Sequence, residues 1–140
     1  MSKLKKRILK HLADDIYCRL GISSLHGIGV FAIRAIPKGA DPLRCMSPNK
    51  EVSIHRKDIK KLDKSVKELI KTFCYYKDDE VLVSTMGLNT MNIAFYLNHS
   101  KEPNVRMKKD ESFEALRDIA EGEELLMDYD KSFGETHIFT

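Results

Sequence analysis

The sequence predicts a mainly β, α+β domain, and three observations predict it. Short β-prone runs recur at close spacing, each bounded by Gly, Pro, Asn, Asp or Ser. One segment, residues 57 to 73, carries a clear helical period. The 140 residues fit one domain with a single core, and no repeat or linker divides them. The expected organisation is therefore one domain over residues 1–140.

The elements follow in order. Residues 4 to 15 suit a short helix, or a tail that orders on docking. Residues 16 to 22 alternate well enough for a strand, and Ser23 to Gly29 reads as a turn. Residues 30 to 36 are apolar and β-prone, and Pro37-Lys38-Gly39 closes them. Asp41-Pro42 and Ser47-Pro48-Asn49 mark a loop. Ile59, Leu62, Val66, Leu69, Ile70 and Phe73 then share one face of an amphipathic helix, with six lysines around the rest. Residues 81 to 84 read as a strand, and residues 91 to 97 as an apolar lead-in. Residues 105–108 and 113–116 read as short strands about an Asp110-Glu111 turn, and residues 125–129 as a last strand.

Composition narrows the function. Hydrophobic residues at 42% and charged ones at 32% are ordinary for a globular domain. No run approaches the ~20 apolar residues of a membrane span, so no membrane partner is expected. The basic start, Met1 to Arg7, is followed only by Ile8, Leu9 and Leu12, too little for a secretory signal. The expectation is an intracellular protein. Cys18, Cys45 and Cys74 form no Cys-x-x-Cys pair, which argues against zinc ribbons and disulfide frameworks. A net charge of +3 is too small to require nucleic acid, although basic residues cluster at Lys3–Lys10 and Arg56–Lys71.

Three motifs carry chemistry. His26-Gly27-Ile28-Gly29-Val30-Phe31 is a glycine turn leading into an apolar run, and Gly lets backbone approach a ligand closely. Phe95-Tyr96-Leu97-Asn98-His99-Ser100 precedes Pro103-Asn104. Gly122-Glu123-Glu124-Leu125-Leu126-Met127-Asp128-Tyr129 ends in Asp-Tyr. In this order and over roughly residues 16 to 130, the three resemble the signature of SET-domain protein lysine methyltransferases.

The resemblance implies a SET-like fold of small curved sheets, with a knot-like crossing of the Asn98 and Tyr129 segments. It divides the chain into an extension (1–15), an N-terminal part (16–39), a variable insert with the helix (40–90), a C-terminal part (91–130) and a tail (131–140). It implies methyl transfer from S-adenosyl-L-methionine to a lysine amine of a protein, a histone tail being a plausible substrate. It gives His26, Gly27, Ile28, Gly29, Val30, Asn98 and His99 to the cofactor. It makes Tyr129 the catalytic tyrosine and places Tyr96, Met127 and Tyr129 along the substrate channel.

The chemistry suits such residues. Free lysine has a pKa near ~10.4, so only about one amine in a few thousand is neutral at pH 7. A site that desolvates the amine favours its nucleophilic neutral form, and neither metal nor covalent intermediate is required. A phenol at position 129 can orient the amine, whereas its own pKa near ~10 makes it a poor base.

The chain also departs from the family. Members with a C-terminal zinc module have Cys right after Asn-His-Ser, whereas this chain has Lys101 and no Cys from Asp130 onward. No bound metal is therefore expected. Phe133, His137, Ile138 and Phe139 are the candidates to roof the adenine, Phe133 first. Phe95 stands where an Arg is common. Ala40 to Cys45 lacks a usual Glu and Tyr, which Tyr75 or Tyr76 could replace. Two other readings stay open: an inactive SET module that binds a protein or peptide, and a small basic nucleic-acid-binding protein. Compartment and oligomeric state are left open, with the nucleus or host chromatin expected for a histone substrate.

Overall fold

The computed structural model describes residues 1–47 and 50–133, the last of these by backbone alone. The chain divides into two compact units, Met1–Met46 with Tyr96–Thr140, and Ser47–Phe95.

The first unit opens with helix α1 (Lys3–Asp14). Ser2 caps it, its hydroxyl accepting the Lys5 N–H at 3.2 Å. Lys10 pairs with Asp14 and His11 with Asp15, each one turn apart. At the other end Arg34 donates to the Asp14 carbonyl. Strands β1 (Cys18–Ile22) and β2 (Ile28–Ala32) form an antiparallel hairpin. The expected strand over 30–36 thus begins earlier and stops at Ala32. Ile36 returns to β structure only as a bridge to Ile119.

The second unit holds β3 (Glu51–His55), α2 (Arg56–Ile59), α3 (Lys64–Phe73), β4 (Tyr75–Lys77) and β5 (Glu80–Ser84). Its sheet runs β3-β5-β4. Ile59, Ile70 and Val81 are its buried centre, packed with Ile54, Cys74, Tyr76, Val83 and Leu88. The one helix expected over 57–73 is two, a correction with a local cause. Asp63 sits at the N-cap of α3 with φ −55° and ψ 147°, outside helical geometry and without a side-chain cap hydrogen bond; Asp is poorly suited to a helix interior. Leu62 closes the break by donating to the Ile59 carbonyl. The same apolar spacing serves both pieces, which is why periodicity alone joined them.

A 3₁₀ turn (Ile93–Tyr96) leads into β6 (Asn98–His99), β7 (Val105–Met107), β8 (Phe113–Ala115) and β9 (Glu124–Met127) of the first unit. The sheet order is β1-β2-β9-β7-β8, with β6 also against β9. β9 is central: antiparallel to β2, and parallel to β6 and β7. Val30, paired with Leu125, is fully buried with it, as are Val105 and Ala115. Each such Val or Leu contributes about 1.5–3 kcal/mol by leaving water.

Asn104 substitutes for a strand beside β9. Its amide donates to the Glu124 carbonyl at 2.8 Å, and its Oδ1 accepts the Leu126 N–H at 2.7 Å. A buried side chain thereby satisfies two backbone groups of the central strand. The last strand stops at Met127, two residues short of expectation, because Asp128 turns the chain into α4 (Tyr129–Phe133). The result is strand-dominated α+β, as the sequence predicts. Among the described residues no helix is long and apolar enough to cross a membrane.

Candidate active site

The glycine turn between β1 and β2 is built around Ser23. Its N–H donates to the Gly27 carbonyl at 2.8 Å, and its hydroxyl oxygen accepts the Leu25 N–H at 3.0 Å. The hydroxyl itself donates to Glu124 at 2.8 Å. Gly27 has φ +48° with open space about it, so the residue is fixed by backbone conformation. Gly29 is fixed by crowding. A Cβ there would lie 2.4 Å from Glu124 Oε2 and 3.2 Å from Asn98 Nδ2.

Asn98 ties this turn to the central strand. Its Nδ2 donates to the His26 carbonyl at 3.0 Å, to the Ile28 carbonyl at 3.3 Å and to Glu124 Oε2 at 2.9 Å. Three acceptors around one atom settle which end of the amide is nitrogen. His99, next along β6, uses its ring on the protein: Nδ1 accepts the Tyr129 N–H at 3.0 Å. The two rings lie 5.3 Å apart, tilted by 59°.

Tyr129 is therefore held at both ends. Its amide is on His99, and its hydroxyl donates to the Leu97 carbonyl. Burial pushes the phenol up to about 12, because desolvation disfavours the phenolate. Its proton is committed to the Leu97 carbonyl. Next to it Asp128 caps α4, accepting the N–H of Asp130 at 3.0 Å and of Lys131 at 3.3 Å. The Lys101 ammonium hydrogen-bonds Asp130 and lies 3.5 Å from Asp128. Burial alone would raise the Asp128 carboxyl. The Lys131 amide and the Lys101 charge outweigh it and hold the group below its usual range.

A family model of the SET domain matches residues 27–130. The chain belongs to the SET-domain family of protein lysine methyltransferases. No curated protein sequence matches the chain. A crystal structure of a candidate histone methyltransferase from Plasmodium falciparum superposes with a TM-score of 0.54 at 20% identity, covering 86% of this chain and 99% of that one. At that identity the likeness is one of fold. SET methyltransferases in general use S-adenosylmethionine as methyl donor.

The predicted SET-site residues fall as follows. The structure joins Ile28, Gly29, Asn98, His99 and Tyr129 through the contacts above, with His26 and Gly27 on the same turn. Val30 is wholly buried, with β1 on one side and β9 on the other. Met127 is buried too and pairs with both His99 and Val105. Tyr96 ends the 3₁₀ turn, half-buried. Phe133 ends α4, and the roofing role given to it and to His137, Ile138 and Phe139 lies outside the described side chains. Tyr75 and Tyr76 lie on β4 of the second unit, where Arg56 stacks over Tyr76 at 4.7 Å.

Sequence reasoning missed Ser23, Glu124 and Lys101 as members of this SET site. Ser23 and Glu124 are 101 positions apart, and no local pattern links them. Lys101 had one signal, its place in the motif. His99, Asp128 and Asp130 approach one another closely enough to suggest a cation, but the Lys101 ammonium already serves the two carboxylates. A surface depression of about 310 Å³, lined by residues including Arg7, Lys10, His11, Asp14 and Arg44, shares none of the site residues.

Proposed function

We propose that this SET domain transfers a methyl group from S-adenosyl-L-methionine to the side-chain amine of a lysine in a protein. The single observation that carries the reading is Tyr129, pinned through Leu97 and His99 with its hydroxyl proton already donated. The donor supplies a methyl carbon on a positively charged sulfur. A lysine ammonium would first lose a proton to water, and the freed lone pair would take that carbon while the bonding pair stays on sulfur.

The chain's own residues supply position and environment. The glycine turn and Asn98 form a corner rich in acceptors, which fits the amino-acid end of the donor. The Tyr129 hydroxyl, oriented by Leu97, would favour the charge of the transition state over that of free reactants. Burial about Tyr129 favours the neutral amine. A raised phenol pKa makes proton abstraction by Tyr129 unfavourable, so its role is orientation and electrostatics. The substrate is a protein with an exposed lysine, and a histone tail is the first to test because the superposed Plasmodium protein is described as a histone methyltransferase candidate.

The test incubates the chain with labelled S-adenosylmethionine and a panel of basic proteins and histone peptides, then locates the label by mass spectrometry. Label on lysine is expected. A chain that binds the donor yet labels nothing across the panel favours a peptide-binding module instead.

A further inference from the structure

Glu124 is a carboxylate with no cation of its own among the described residues. It is half-buried on β9, and its hydrogen bonds come from neutral donors, the Ser23 hydroxyl at 2.8 Å and the Asn98 amide at 2.9 Å. Among the described residues no Lys, Arg or His forms an ion pair with it. Three other acids on or beside these strands each have a cation: Glu114 has Arg106, Glu123 has Arg117, and Asp130 has Lys101. A carboxylate held by neutral donors alone leaves its charge to be matched by a cationic ligand.

Its surroundings say what would complete it. The carboxylate lies against Gly29, where a Cβ would approach to 2.4 Å, and so directly under the glycine turn. Around it stand further acceptors: the carbonyls of His26 and Ile28, and Asn98 Oδ1, whose amide nitrogen is already spent on those carbonyls and on Glu124. A corner of acceptors with one net negative charge matches a primary ammonium, which brings three donors and one positive charge. It does not match a sulfonium, which has no N–H.

We propose that Glu124 is the counter-charge for the ammonium of the cofactor's amino-acid end, and so selects ligands that carry that amine. The proposal rests on the methyl-transfer reading above. Ser23 is its positioning residue, orienting the carboxylate and closing the turn at once.

The test is a cycle across protein and ligand, read by calorimetry. The ligands are S-adenosylhomocysteine and its analogue with hydroxyl in place of the amine. The proteins are wild type, Glu124→Gln and Ser23→Ala. In wild type the amine should improve affinity about tenfold or more, as charge-assisted hydrogen bonds do. In Glu124→Gln, which keeps the size and an acceptor oxygen, that advantage should fall to about threefold or less. Ser23→Ala keeps the carboxylate and should keep most of the advantage. If Glu124→Gln weakens both ligands equally, the residue is only a fastener and the proposal fails. Should Glu124→Gln not fold, wild type alone decides against the idea whenever its amine advantage is below about threefold. A wild-type chain that binds neither ligand overturns the methyl-transfer reading together with this one, whereas binding with an unchanged ratio overturns this one alone.

Discussion

Tyr129 shows how much a single side chain can be constrained without being ionised. Its hydroxyl donates to Leu97, its amide donates to His99, and burial lifts its pKa to about 12. Tyr129→Phe removes the oxygen and keeps the ring. Turnover should fall by about 10²-fold or more while donor affinity stays within a few fold, the pattern of an interaction made in the transition state. Steady-state kinetics beside calorimetry measures both, and wild-type turnover would remove Tyr129 from the chemistry. The same phenol gives a pH signature. A group whose folded pKa is raised stabilises the fold fully below its unfolded value and loses that contribution as pH rises through the folded one. The Tyr129 contribution should therefore disappear between pH ~10 and about 12. Denaturation midpoints across that range should converge between wild type and Tyr129→Phe, and parallel curves would contradict the shift. Cys18 gives a simpler check: burial raises its thiol to about 12, while Cys45 is exposed. Alkylating reagents should modify Cys45 well before Cys18, since the thiolate is the reactive form. The reverse order would place Cys18 at the surface.

At the scale of elements, β9 is the piece on which the others register, and Asn104 adds two side-chain hydrogen bonds to its backbone. Asn104→Ala would leave the Glu124 carbonyl and the Leu126 N–H without that partner in a partly buried place. The expected loss is roughly 2–4 kcal/mol, from the desolvation of two stranded groups. Urea unfolding should show it as a lower midpoint with little change in slope, and a loss below about 0.5 kcal/mol, the level of an ordinary surface change, would contradict this role. α4 depends likewise on one residue. Asp128 caps it and lies below the usual carboxylate range. A depressed carboxyl contributes stability above its unfolded value and loses it as pH falls through the folded one, so the contribution should fade below about pH 4. Comparing acid unfolding of wild type with Asp128→Asn tests this; identical acid midpoints would show that the charge does not support the cap.

For the whole molecule, ligand linkage is the decisive quantity. A donor that binds only the folded chain adds about 2.7 kcal/mol at one hundred times its dissociation constant. The melting temperature should rise by several degrees with S-adenosylmethionine, and by the same amount after exhaustive chelation. A shift abolished by chelation and restored by zinc would reinstate a metal that the donor set around Lys101 does not call for.

The sequence by itself determined the family and the strand-dominated class, because these reside in residue types at short spacing. Gly27, Gly29, Asn98, His99 and Tyr129 were legible as motif residues, and alternation and turn residues marked β1, β5, β7 and β8. Boundaries were less legible. The helix read over 57–73 broke at Asp63, whose backbone leaves helical geometry, and the last strand stopped before Asp128, whose carboxylate caps α4; such local choices outcompete continuation of an apolar pattern. Only the tertiary structure decided what the motif residues do to one another. Asn98 Nδ2, His99 Nδ1 and the Tyr129 hydroxyl turned out to be spent on the protein, and Ser23 and Glu124 entered the site from opposite ends of the chain. Hydrogen bonds between residues a hundred positions apart leave no periodic trace in a sequence. They exist only once β2 and β9 lie side by side.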